Sequence, residues 1–136
     1  MEIELPDSLT ITQTIAALIG LYFLAAGTGL LVERNSFSEM IKELSDQPMI
    51  GFLGGVIAFA IGGAIVAIHN NWSSLLTGFV SLVGWMALAE GVLMLAFRKR
   101  FLAFFERITL STSVVTSFGV GTIVAGIALL SAAFAG

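Results

Sequence analysis

The chain has 136 residues, 57% of them hydrophobic and only 11% charged, with a mean hydropathy of +1.02. A water-soluble domain of this size carries about 25% charged residues to solvate its large surface, and six basic with nine acidic side chains, net −3, fall well short. A soluble enzyme, a disordered tail and a nucleic-acid binder are excluded as the main reading. The lack of cysteine removes disulfide, iron–sulfur and thiolate chemistry, and a single histidine is too few for a transition-metal site.

The N-terminus reads Met1-Glu2-Ile3-Glu4-Leu5-Pro6-Asp7. It has no basic region of the kind that opens a signal peptide, so a retained segment is expected. The first apolar run covers Leu9–Val32. Ser36-Phe37-Ser38-Glu39 then has the form of a capping box. Phe37, Met40, Ile41 and Leu44 follow at i, i+3, i+4 and i+7, one apolar face of a short helix. The second run is Met49–Ile68, and a short turn, His69-Asn70-Asn71-Trp72, leads to the third, Leu75–Phe97. After it the short amphipathic pattern returns at Phe101, Phe104, Phe105 and Ile108, and the fourth run is Ser113–Phe134. Each run matches the ~20 residues that cross a bilayer as a helix, and none shows the shorter alternating pattern of a barrel strand. The expected fold is all-α, a single four-span membrane domain over residues 1–136.

Four spans place the 33–48 and 98–112 connections on one side and both termini with the 69–74 turn on the other. All six basic residues, Arg34, Lys42, Arg98, Lys99, Arg100 and Arg107, fall on the first side, and Glu2, Glu4 and Asp7 on the second. Lys and Arg mark cytoplasmic loops, so both termini are expected outside.

A displacement of 64 residues aligns 10–68 with 74–132 without gaps and gives twelve identities. They include Gly20/Gly84, Leu24/Leu88, Gly27/Gly91, Leu31/Leu95, Arg34/Arg98, Phe37/Phe101, Gly55/Gly119 and Gly62/Gly126. Composition alone yields roughly five in such apolar sequence. The expected architecture is therefore two tandem helix–interfacial helix–helix repeats, with each amphipathic helix lying apolar side down in the interface. Two spans per repeat preserve direction, so a pseudo-twofold axis should run along the membrane normal. The halves should superpose as like-oriented hairpins, with Gly20/Gly84 and Arg34/Arg98 in equivalent places. Asn71 aligns with Asp7, and each is suited to cap the span that follows.

Three sets of residues are candidates for function. Gly51, Gly54, Gly55, Ala58, Gly62 and Gly63 put small side chains four apart on more than one face of the second span, where helices approach closely in lipid. They serve either the fold of one chain or contacts between chains. Glu90 is the one ionisable residue well inside a span, a functional candidate by default. It is expected to be a relay for protons or cations, a helix–helix hydrogen bond to Thr28, Thr116 or Ser117 at similar depth, or an anchor for Arg98–Arg100. In the outer turn, His69 and Asn70 are candidate ligand-binding residues and Trp72 an interfacial aromatic. A lone histidine at a helix end also serves simply to bond a carbonyl or water. Trp85 is expected to pack within the third span.

His69-Asn70-x-Trp72 followed by Gly84-Trp85-x-x-Leu88-x-Glu90-Gly91 resembles a group of small uncharacterised bacterial multi-spanning inner-membrane proteins, with Glu or Lys at the Glu90 position. The likeness covers roughly the second and third spans and their turn. It implies a bacterial cytoplasmic membrane and no known activity. With no catalytic constellation, cofactor motif or metal-ligand set in the sequence, the expected function is a non-catalytic accessory, scaffolding or assembly module in the lipid bilayer. Its partner would be a larger membrane complex or further copies of itself. The alternative is a small oligomeric transporter or channel using Glu90.

Overall fold

The computed structural model describes residues 10–135 and is helical throughout, with no strand among them. The elements are α1 (Ile11–Val32), α2 (Phe37–Asp46), α3 (Pro48–Ile68), α4 (Leu75–Ala96), α5 (Arg98–Thr109) and α6 (Thr112–Ala135). Four of them, α1, α3, α4 and α6, are long and apolar enough to cross a membrane. The acidic residues Glu2, Glu4 and Asp7 lie outside the described residues.

Local chemistry sets the helix ends. Two of the spans start on reciprocal caps. Thr10 Oγ1 accepts the Gln13 N–H at 3.2 Å while Gln13 Oε1 accepts the Thr10 N–H at 2.9 Å. Ser74 and Thr77 repeat the arrangement at the start of α4. Asn71, expected to cap α4, instead accepts the Ser73 N–H at 2.9 Å and shapes the turn before it. The capping box expected at Ser36 does not form. Its backbone is already near the helical region (φ −112°, ψ −2°), so the hydroxyl is not aimed at the third residue's N–H as an extended cap would be. Pro48 ends α2 and opens α3 one residue later. It holds Gln47 extended (φ −114°, ψ 93°) and gives up an N–H that has no helical partner at that position.

Small residues decide how the spans pair. A Cβ on Gly126 would sit 2.7 Å from the Gly20 carbonyl oxygen and 3.1 Å from the Leu24 nitrogen, so α1 and α6 touch backbone to backbone. On α3, a Cβ at Gly62 would overlap the Leu88 nitrogen and lie 2.7 Å from the Ala87 carbonyl carbon. Gly27 meets Ile123 and Gly119, while Gly91 meets Phe59; Leu31 covers Gly119, while Leu95 covers Gly55. Three of these α1–α6 contacts have α4–α3 counterparts at a displacement of 64 residues, Gly126–Leu24 with Gly62–Leu88, Gly27–Ile123 with Gly91–Phe59 and Gly119–Leu31 with Gly55–Leu95, whereas Gly20 meets the Gly126 backbone and Gly84 meets the Ile65 side chain. Both pairs run antiparallel, since residue numbers rise along one helix as they fall along the other.

The packing differs from the expected hairpins of consecutive spans. α1 and α3 have no extensive contact; α1 binds α6, α4 binds α3, and the pairs join where α1 meets α4. The described spans therefore follow one another in contact as α6, α1, α4, α3, and no extensive α3–α6 contact closes them into a bundle. The junction is apolar and lies away from α2 and α5: Ala16, Ile19, Val80, Leu129 and Ala133 are buried there, with Ile15, Phe23, Ile65, Leu76 and Val83 packed around them. Elsewhere the surface is greasy. Leu18, Tyr22, Phe52, Ile57, Met86 and Phe118 are all more than half exposed or close to it, and no more than 28% of the most apolar stretch of any span is buried within the chain. Such a surface fits a lipid environment.

At the opposite end α2 packs against α5. Their apolar stripes are divided rather than turned wholly to lipid: Phe37, Ile41 and Leu44 are half-buried and Leu102 is buried, whereas Met40 and Phe104 stay exposed. Arg98 and Arg34, aligned by the displacement, occupy different environments. Arg98 donates to the Leu44 oxygen at 3.3 Å and to the Ser45 oxygen, closing the C-terminal carbonyls of α2. Its aliphatic stem lies across Gly51. The residue aligned with Gly51 is Val115, itself buried, so the glycine that the Arg98 stem crosses has no counterpart in the other half. Arg34 stays exposed and bonds only Leu31 of its own helix, at 3.3 Å.

Candidate functional site

The candidates at the α3–α4 turn form the most connected polar cluster in the described residues. His69 is the last residue before the turn and is only 5% exposed. Its Nε2 lies 2.9 Å from Thr12 Oγ1 on α1, and its Nδ1 lies 3.1 Å from Ser81 Oγ on α4. Ser81 is completely buried. Its Oγ accepts the Asn71 N–H at 2.9 Å and lies 2.8 Å from the Asn71 oxygen and 3.3 Å from the His69 oxygen.

Donor counting assigns the histidine tautomer. A serine hydroxyl has one proton and two lone pairs. The proton goes to the Asn71 oxygen at the shorter distance, one lone pair takes the Asn71 N–H, and the other is left for His69. Nδ1 must therefore carry hydrogen, and in the neutral imidazole Nε2 is then the acceptor facing the Thr12 hydroxyl. This is the reverse of a nucleophile–base pair, in which imidazole accepts the serine proton. The arrangement ties the α3–α4 turn to α1 across the junction. Residues aligned with Thr12, Ser81 and His69 by the 64-residue displacement are Leu76, Ala17 and Ala133, so the tie exists on one side only.

Asn70 and Trp72 sit on the exposed rim of this cluster. The Asn70 Oδ1 accepts the Trp72 indole N–H at 2.9 Å and the Trp85 indole N–H at 3.3 Å. Trp85, expected to pack within its span, is 44% exposed. Helical side chains lean toward the N-terminus, which lets its ring reach back to the turn. Sequence reasoning missed Thr12, Ser81 and Trp85 as members of this cluster. The available signal was Thr77 and Ser81, polar residues one turn apart at the start of an otherwise apolar span.

Glu90 is placed differently from its expected hydrogen bond. It is exposed and bonds none of Thr28, Thr116 or Ser117. The Thr28 hydroxyl donates to Leu24 O of its own helix at 2.7 Å. Thr116 is half-buried, and Ser117 is exposed in a shallow groove with Ser113, Val114 and Phe118 on α6. Glu90 follows Val83 by seven residues and Leu76 by fourteen, so it continues the stripe that packs at the α1–α4 junction. Six residues from the end of α4, about 9 Å by helical rise, that stripe has left the junction core.

The candidate packing residues divide into two groups. Gly51, Gly55 and Gly62 are buried, beneath Arg98, beneath Met94 and Leu95, and against the α4 backbone respectively. Gly54 and Gly63 have ordinary contacts at 3.6 and 3.9 Å, and with Ala58 they are half-buried. Among the described residues no group of three or more His, Asp or Glu is arranged to hold a metal ion.

Fold and composition define a polytopic all-helical protein whose apolar surface fits a membrane. No family model matches the chain, and no curated protein and no solved structure is significantly similar to it.

Proposed function

We propose that the chain is a non-catalytic integral membrane module, an accessory, scaffolding or assembly subunit that acts through helix–helix contacts in a bacterial cytoplasmic membrane, both termini outward. One observation carries the reading. Glu90 is exposed on α4, on the stripe that leaves the α1–α4 junction and beside the exposed apolar residues Met86 and Leu93, with no hydrogen bond or ion pair among the described residues. Intramembrane carboxylates find partners because an isolated one is costly in hydrocarbon. A partner helix bringing a basic or amide side chain to that depth supplies what this chain lacks.

The recurrence of span-to-span contacts at 64 residues supports an internal duplication with a pseudo-twofold axis along the membrane normal. The axis would pass between α1 and α4 and between α2 and α5, the element pairs it maps onto themselves. The second reading, a small oligomeric transporter or channel with Glu90 as a relay for protons or cations, is favoured by the place of Glu90 on the stripe that leaves the junction between the pairs.

The two readings separate on purification from native membranes in mild detergent. A subunit brings down a larger membrane protein; Glu90→Gln retains it, and Glu90→Leu loses it while folding normally. A self-contained oligomer whose proton or cation flux in liposomes disappears in Glu90→Gln would overturn the scaffold reading.

A further inference from the structure

The charge at the α2–α5 end is unevenly divided. α2 carries Glu39, Lys42, Glu43 and Asp46, whereas α5 carries Arg98, Lys99, Arg100 and Arg107 against the single acid Glu106. Arg98 is committed to the α2 carbonyls. The buried side of α5 holds Leu102 and Thr109, and Thr109 is bonded to Phe105 O and Glu106 O at 2.8 and 3.1 Å. The outward side is different. Arg100, Phe104 and Arg107 stand at i, i+4 and i+7, one stripe of the helix, and all three are exposed.

Among the described residues neither guanidinium in that stripe has a hydrogen bond or ion pair. Glu106 does not neutralise them, since it lies about 100° or more around the helix from each arginine. Between the two arginines Phe104 is 58% exposed, held edge-to-face against Phe105 at a ring separation of 5.8 Å. An exposed phenyl ring between two unpaired guanidinium groups suits neither water nor hydrocarbon alone. It suits the boundary, with the ring among acyl chains and the arginines at headgroup level. Guanidinium presents a planar fork of donors that matches phosphate oxygens.

We propose that the outward face of α5 is a binding site for an anionic phospholipid of the adjoining leaflet, with Arg100 and Arg107 holding the phosphate and Phe104 set into the acyl region. The site is on α5 only. At the positions aligned with Arg100, Phe104 and Arg107, the other half has Ser36, Met40 and Glu43, which cannot grip an anion.

The test uses the full chain purified in an uncharged detergent, with phosphatidylglycerol, phosphatidylcholine and inorganic phosphate added in separate titrations. Bound lipid is counted by native mass spectrometry, and the unfolding midpoint is followed in parallel. Phosphatidylglycerol should bind saturably and raise the midpoint, while the other two probes do neither. Each arginine near a membrane surface contributes about fivefold, so Arg100→Gln with Arg107→Gln should weaken phosphatidylglycerol binding roughly 30-fold. Lys42→Gln on α2, outside the stripe, should weaken binding by less than the about fivefold of a stripe arginine. Replacing both arginines by lysine keeps the charge and loses the fork, and should fall between. Equal binding of the two lipids, an undiminished double Gln variant, or an equal response to inorganic phosphate would each overturn the proposal.

Discussion

Gly62→Ala tests the packing most directly, because the glycine's neighbour on α4 is backbone. The added methyl overlaps the Leu88 nitrogen and comes within 2.7 Å of the Ala87 carbonyl carbon. No side-chain rotation relieves that, so α3 and α4 must separate. Overpacking of this kind costs about 1–3 kcal/mol, while Ala over Gly returns up to about 1 kcal/mol of helix propensity. The adjacent Gly63→Ala receives the same propensity gain, but its methyl meets only Leu88 Cδ1 at 3.9 Å. The difference between the two variants isolates the steric effect, and Gly62→Ala should be the less stable by about 1–3 kcal/mol. Reversible unfolding from mild detergent into dodecyl sulfate, followed by the fluorescence of Trp72 and Trp85 on the turn and α4, measures it. Gly126→Ala, whose methyl would meet the Gly20 oxygen at 2.7 Å, should show a comparable loss. Equal stability of Gly62→Ala and Gly63→Ala would refute the close α3–α4 contact.

Four further outcomes follow from the polar contacts and the charge distribution. Ser81→Ala leaves the Asn71 N–H and His69 Nδ1–H without their shared acceptor and should cost about 1–3 kcal/mol in the same unfolding assay, with faster amide exchange at Asn71. Arg98→Gln removes the closure of α2 and should speed exchange of the α2 amides at a stability cost of about 1–2 kcal/mol. Arg34→Gln, which loses one exposed bond to its own helix, should change stability by no more than about 0.5 kcal/mol. Cysteines placed singly at Asp46 and Ser73 in this cysteine-free chain should react with an impermeant reagent in intact cells only at Ser73. Labelling confined to Asp46 reverses the orientation.

Much of the secondary structure is legible from the residues alone. Runs of apolar residues of bilayer length with no alternation admit only helices, because backbone groups have no water to bond in hydrocarbon. The two amphipathic patterns at Phe37–Leu44 and Phe101–Ile108 appear as α2 and α5 for a similarly local reason, since their apolar residues recur at helical spacing. The gathering of all basic residues at one end then follows from chain order through four spans.

Which faces meet is not legible in that way. A span that is apolar all round carries no stripe to distinguish a neighbour from lipid, and small residues on several faces of α3 leave open which ones pack. The fold chooses Gly51, Gly55 and Gly62 over Gly54 and Gly63, and it pairs α1 with α6 where chain proximity favours α3. Single residues placed by that pairing then settle the candidate sites. Gly51 makes room for Arg98 where the other half has Val115, Ser81 and Thr12 close on His69 from two helices, and Glu90 continues a packed stripe beyond the place where its helix pair meets the other. Sequence pattern determines helices because helix formation in lipid is a local demand for backbone hydrogen bonds. Their pairing depends on backbone approach between residues distant in the chain, and only the tertiary structure brings those together.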